Sequence, residues 1–144
     1  MIKKTINQLL ENKDKGLLTI DPNNSVYNAI KSMADHHIGS LIVMQNNKLL
    51  GIITERDYSR NVILKGKSSV DTPVKDIMTK NVLCIKPEQT IEEAMALMTD
   101  KRVRHLPVVE NSNVIGIISI GDLVKDIISE QKFIIEQLEH YING

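Results

Sequence analysis

Aromatic side chains are nearly missing from this 144-residue chain, which has no tryptophan, one phenylalanine and three tyrosines. Any core is therefore built from Ile, Leu, Val and Met. A flat ligand would lie between aliphatic side chains rather than on an aromatic platform. A surplus of charge is missing too, with 18 basic residues balanced by 18 acidic ones. Counterion release needs clustered positive charge, so no broad DNA or RNA interface is expected. A local cationic pocket for one small anion remains compatible with neutrality. The single cysteine, Cys84, excludes a disulfide within the chain and fits a reducing compartment. No apolar run approaches the roughly 18 residues that a membrane-spanning helix needs. The first residues, MIKKTINQLLENKDKG, carry the lysines of a secretion signal but not its apolar stretch of about 7–15 residues. A soluble, cytoplasmic protein without a membrane partner is the expectation.

What is present is a repeat. Sliding the chain by 65 positions aligns residues 18–63 with 83–128 without a gap. Identical pairs include Ile20/Ile85, Pro22/Pro87, Ala29/Ala94, Met33/Met98, Leu41/Leu106, Gly51/Gly116 and Asp57/Asp122. Each copy begins with a short extended segment, LLTI or VLCI, before a proline turn. Ser25 or Thr90 then stands at a helix N-cap, and Thr90 with Glu93 spells a capping box. Apolar residues follow at helical spacing: Val26, Ala29, Ile30 and Met33, then Ile91, Ala94, Met95 and Met98. A strand, a polar turn (QNNK or NSNV), a second strand and a closing helix complete the unit. The fold class is α+β, two pseudo-symmetric β-α-β-β-α repeats. Neither unit can bury its apolar faces alone, so the two are expected to pack into one domain. The division is an N-terminal helix in 1–16, repeats at 17–64 and 81–128, a connection at 65–80 and a C-terminal helix at 129–144. That last helix carries Phe133, Ile134, Leu138, Tyr141 and Ile142 along a stripe that suits either a partner or the parent domain.

GIITERD at 51–57 and GIISIGD at 116–122 admit two readings. In one, Thr54 with Asp57 and Ser119 with Asp122 are capping boxes and nothing more. In the other they also hold a ligand. Each element leaves a strand directly, so amide donors and the positive end of a helix dipole stand beside a sheet edge. Gly51 and Gly116 let another group approach the strand closely. An aspartate carboxylate accepts paired hydrogen bonds, and a ribose diol offers two adjacent donors. A nucleotide is a sensible guest.

The repeated unit ending in GIITERD and GIISIGD, with DKRVRHLPVVE in the second copy, resembles the CBS domain, named for cystathionine β-synthase. Two copies resemble the tandem CBS pair over roughly 17–128. The phrases ITERDYSRNVILKG, DTPVKDIMT and RHLPVV are similar to stand-alone bacterial and organellar members. The resemblance implies a non-catalytic sensor that binds an adenosyl ligand between the repeats: AMP first, otherwise ADP, ATP, NAD(H) or S-adenosylmethionine. It implies ribose contacts from Asp57 and Asp122, ribose or phosphate contacts from Thr54 and Ser119, and backbone contacts to adenine from Thr19, Ile20, Cys84 and Ile85. Ile38 and Val103, beside Pro107, would form apolar walls. It further implies a ligand-dependent homodimer acting on a regulated protein. A ligand-free dimerisation scaffold is the alternative.

The two copies differ where the middle strand begins. Gly39 and Ser40 in the first align with Arg104 and His105 in the second. These are either an exposed strand start or, as in related CBS pairs, phosphate ligands; a guanidinium suits bidentate contact with phosphate. Arg56 aligns with Gly121 and faces either a phosphate or a surface salt bridge. The sequence leaves open which cleft each arginine serves. His36, His37 and His140 lack metal-ligand spacing, and no catalytic constellation or catalytic cofactor is expected.

Overall fold

The computed structural model describes residues 4–13 and 16–143; the parts of the terminal and linker assignments on residues 1–3, 14, 15 and 144 lie outside it. Helix α1 (Ile6–Glu11) precedes β1 (Thr19–Ile20), α2 (Val26–His36), β2 (Ser40–Gln45), β3 (Lys48–Thr54) and α3 (Glu55–Tyr58). A π-helical turn, Ser59–Ile63, prolongs α3, and a 3₁₀ turn, Val74–Asp76, lies in the connection. The second unit consists of α4 (Ile91–Lys101), β4 (His105–Glu110), β5 (Asn113–Ser119) and α5 (Ile120–Asn143). The β-α-β-β-α order is thus realised twice.

Local chemistry explains most of these boundaries. Ser25 and Thr90 cap α2 and α4 by accepting from the amides of Asn28 and Glu93. Both helices end on left-handed residues, His37 and Arg102, which turn the chain into the next strand. The β2/β3 and β4/β5 hairpins close through Asn46 with Asn47 and Asn111 with Ser112, all at positive φ. Two consecutive left-handed residues match the twist of a tight hairpin.

One strand is shorter than its repeat partner. β1 pairs in parallel with β2 at Thr19↔Ile42 and Ile20↔Val43, whereas VLCI is reduced to a single bridge, Ile85↔Val108. The cause is Pro107, which aligns with Ile42. Ile85 donates to the Pro107 carbonyl at 2.9 Å and accepts from Val109 at 2.9 Å. The next rung would need an amide donor from Pro107, which has none.

The hydrophobic interior forms two clusters rather than one. Ile20, Val26, Ala29, Met33, Leu41, Val43, Ile53 and Val62 make the first, and Ile85, Ile91, Ala94, Met98, Leu106, Val108, Ile118 and Leu123 the second. Their members are aliphatic or Met, as the scarcity of aromatics requires. Each cluster is completed by the segment that precedes the other repeat. Ile6 and Leu9 of α1 enter the second cluster; Val74 and Ile77 enter the first. Equivalent hydrogen bonds hold both segments: Ile6 N to Gln89 O and Asn7 N to Pro87 O, then Val74 N to Asn24 O and Lys75 N to Pro22 O, all between 2.8 and 2.9 Å. Lys4 adds an ion pair with Asp126 of α5.

This crossing also explains the glycines of the repeated motif. A Cβ on Gly51 would stand 2.7 Å from the Thr79 carbonyl, and one on Gly116 would stand 2.9 Å from Leu10. The group that approaches each strand is therefore the crossing segment of the same chain.

Helix α5 runs unbroken through the expected boundary at 128/129. Its first part buries Leu123, while residues 128–142 are exposed, including Ile135, Leu138 and Tyr141. Among the described residues no helix is long and apolar enough to cross a membrane.

Candidate functional site

Both repeated motifs form their caps. Thr54 Oγ1 accepts from the Asp57 amide at 3.1 Å, and Asp57 Oδ2 accepts from the Thr54 amide and hydroxyl, each at 3.0 Å. Ser119 Oγ accepts from the Asp122 amide at 3.1 Å, and Asp122 Oδ2 accepts from the Ser119 amide at 2.8 Å. All these capping contacts fall on Oδ2, so capping leaves the Oδ1 atom of each aspartate uncommitted. The first cap places Thr54 and Asp57 in a cleft between the repeats, whereas Ser119 and Asp122 are not among the described residues lining the second, smaller cleft.

The larger cleft encloses about 430 Å³ and unites side chains from both halves. Thr54, Glu55, Arg56, Asp57 and Arg60 come from β3 and the helix that follows it. Arg102, Val103 and Arg104 come from the turn between α4 and β4, His105 from the start of β4, and Thr79 from the crossing segment. Arg56 and Arg104, which the sequence left unassigned, face the same cleft. Arg60 and Arg102 join them. No carboxylate lies within ion-pairing distance of any of these four guanidiniums among the described residues. Four cations against Glu55 and Asp57 give the walls a net positive charge within a neutral protein.

The titration of the lining groups follows from this arrangement. Burial raises the Asp57 carboxyl above its ordinary range, against the pull of the Thr54 amide and hydroxyl, the Thr79 hydroxyl and the Arg56 charge. Burial also lowers His105; Asp122 opposes that shift, while Lys13, Arg104 and Arg56 reinforce it. His105 is therefore neutral at pH 7, a hydrogen-bonding group rather than a further charge.

The smaller cleft, about 100 Å³, is lined by Leu10, Lys13, Ile38, Ser40, Gly116 and Ile117 among others. It lies on the second motif. Lys13 Nζ donates to Asp122 Oδ2 at 2.9 Å and to the Ile117 carbonyl at 2.6 Å. Burial pushes the Asp122 carboxyl up, but the Lys13 hydrogen bond and charge, with the Ser119 amide and hydroxyl, bring it below its ordinary value. Two aspartates at the same repeat position are thus shifted in opposite directions.

The remaining residues singled out by sequence lie elsewhere. Thr19 is exposed on β1, and Ile20 and Ile85 are buried in the two cores. Cys84 is exposed beside the Ile85 bridge. None of these four is among the described residues lining either cleft. Pro107 is buried within β4. Ile38 lines the smaller cleft and Val103 the larger, on opposite sides of the pseudo-twofold.

Sequence reasoning missed Arg60, Arg102, Thr79 and Lys13. Arg60 had a signal, since it follows Arg56 by four residues on one helix face. Thr79 and Lys13 follow the crossing segments. The only trace of that crossing was the matched apolar spacing of Ile6, Leu9 and Leu10 with Val74, Ile77 and Met78. No group of three or more His, Cys, Asp or Glu among the described residues could hold a metal ion.

Two interlocked β-α-β-β-α units, with a cleft on either side of their pseudo-twofold, define a tandem-repeat α+β protein. The chain belongs to the CBS-domain family: the family's sequence model matches residues 13–63 and again 74–129. The CBS domain-containing protein CBSX3, mitochondrial, of Arabidopsis thaliana is 40% identical over 149 residues, spanning 97% of this chain and 72% of the relative. The crystal structure of the CBS domain protein NE2398 is 50% identical, covers 88% of this chain and 99% of its own, and superposes with a TM-score of 0.84. More distantly, the CBS pair of protein MJ0100, solved with 5'-methylthioadenosine and S-adenosyl-L-methionine, shares the fold. Its TM-score is 0.80 at 23% identity, over 90% of this chain and 99% of that one.

Proposed function

We propose that the protein is a non-catalytic regulatory module that binds a phosphorylated adenosyl ligand in the larger cleft. AMP is the first candidate, with ADP, ATP and NAD(H) as its relatives. The observation that carries this reading is the set of four guanidiniums without carboxylate partners among the described residues, lining a cleft of about 430 Å³ with Asp57. The Asp57 carboxylate takes the ribose diol, Thr54 a ribose or phosphate oxygen, and Arg56 and Arg104 the phosphate. Ile52 and Val103 supply aliphatic walls for the base. Arginine provides two parallel donors to a phosphate, so the cluster confers geometry as well as charge. A cationic sulfonium ligand fits these walls less well than an anion. The adenosyl ligands held by the MJ0100 pair show what a protein of this fold accommodates; the case for this chain rests on its own residues.

Ligand occupancy would bridge the two repeats, since Asp57 and Arg104 belong to different halves. That bridge would set their relative angle and so the surface a partner meets, within a homodimer of CBS pairs.

A thermal-shift panel on protein refolded from denaturant tests this function. AMP, ADP, ATP and NADH, at 100 times the dissociation constant, should each add about 2.7 kcal/mol of stability. Arg104→Ala should remove most of that response while sparing a weaker one to adenosine. If no ligand shifts a natively folded protein, the motifs are helix caps in a scaffold.

A further inference from the structure

The two clefts share three repeat-equivalent wall positions, yet one is four times the volume of the other, and Asp57 lines the larger while Asp122, under the Lys13 ammonium, is not among the described residues lining the smaller. Ile117, Ser40 and Ile38 occupy in the smaller cleft the places of Ile52, His105 and Val103 in the larger. The difference lies in what the crossing segment delivers. In the larger cleft Thr79 donates its amide to the Ile52 carbonyl at 2.9 Å, and its neutral hydroxyl is the crossing-segment group that acts on the Asp57 carboxyl. In the smaller cleft Lys13 Nζ performs both tasks at once, reaching the Ile117 carbonyl and Asp122. A neutral hydroxyl leaves the Asp57 charge available to a guest. An ammonium group neutralises the Asp122 charge and fills the space beside it.

We infer that Lys13 is a built-in plug that holds the second cleft shut and limits each chain to one nucleotide. The inference rests on reading the larger cleft as an adenosyl site. The class of ligand behind the plug also follows from the repeat alignment. Arg104 and Arg56 of the first site correspond to Gly39 and Gly121 at the second, which removes the guanidiniums suited to phosphate. A carboxylate without those cations suits an uncharged nucleoside whose diol takes the place of the lysine. Freed of Lys13, the second cleft binds adenosine.

Isothermal titration with AMP and with adenosine tests this on the full chain and on Lys13→Ala, Lys13→Thr and Lys13→Ala/Asp122→Ala. Lys13→Thr installs the group found in the first cleft and guards against a folding defect in the alanine variant. The expected result is one AMP per chain in every variant. Adenosine should rise from one to two equivalents in both single variants and return to one in the double variant. Two adenosines in the unaltered protein, or one in both folded single variants, would overturn the plug. If the unaltered chain binds neither ligand but Lys13→Ala gains one adenosine that requires Asp122, the plug stands and the arginine-cleft reading fails. If no variant binds either ligand, both are wrong.

Discussion

Asp57 and Asp122 hold the same place in the repeat and cap equivalent helices, α3 and α5, with the same atom, but differ in the group the crossing segment brings to them. Asp57 meets the Thr79 hydroxyl and Asp122 the Lys13 ammonium. An acid whose folded pKa lies above its unfolded value binds its proton more tightly in the folded state. Stability is then lost as pH rises through that window, and ionised Asp57 is a cost at pH 7. Asp57→Asn keeps an oxygen to accept from the Thr54 amide while removing the charge. At pH 7 this variant should melt no lower than the parent, yet bind AMP about 1–3 kcal/mol more weakly, the scale for a hydrogen bond to a charged group. Parallel melting and titration would show this separation of stability from binding. Asp122 works the other way. Its folded pKa lies below the ordinary 3.8, so its contribution is present above that value and lost as pH falls through the folded pKa. Lys13→Ala should therefore lower stability at neutral pH by up to about 1 kcal/mol, given that the pair is partly solvated. The difference between variant and parent should shrink below about pH 4, as melting curves across pH would report.

At the scale of elements, the crossing segments decide how the halves depend on one another. Ile6 is fully buried in the second core although it precedes the first repeat, and Val74 is fully buried in the first. A helix of six residues is too short to be stable by itself, so α1 exists because repeat two receives it. Ile6→Ala should cost about 2–4 kcal/mol, the range for emptying a core site of this size. Hydrogen exchange should show the loss in α4, β4 and β5 more than in α2, β2 and β3. A loss confined to the first repeat would contradict the crossing. The motif glycines belong to this scale too, because they admit the crossing segment rather than a ligand.

At the scale of the whole molecule, α5 carries an exposed apolar stripe. Ile135 and Leu138 are more than half exposed, and Tyr141 is 86% exposed. Exposed apolar faces of this kind mark interaction surfaces. Homodimerisation, expected from the family resemblance, would cover such a face. Light scattering coupled to size exclusion should give twice the 16.2 kDa chain mass, and Leu138→Glu with Ile135→Glu should shift it toward the monomer. A monomeric parent at micromolar concentration would remove the dimer from the mechanism.

Much of this protein was legible in one dimension. The 65-residue register, the capped helices, the hairpin turns and the motif of Thr54 with Asp57 follow from local rules of spacing, hydrogen bonding and backbone preference, which act over a few residues and repeat when the sequence repeats. Even the arginine asymmetry, Arg104 against Gly39 and Arg56 against Gly121, was visible by alignment. Only the tertiary structure decided that Arg56 and Arg104 share a cleft, that Arg60, Arg102 and Thr79 join them, and that Lys13 sits on Asp122. Those relations span up to 109 residues of separation and depend on two segments packing across the pseudo-twofold. Local propensity cannot encode such a crossing, because the same short apolar helix could bury itself on either half. The choice is made by the cores that each segment completes.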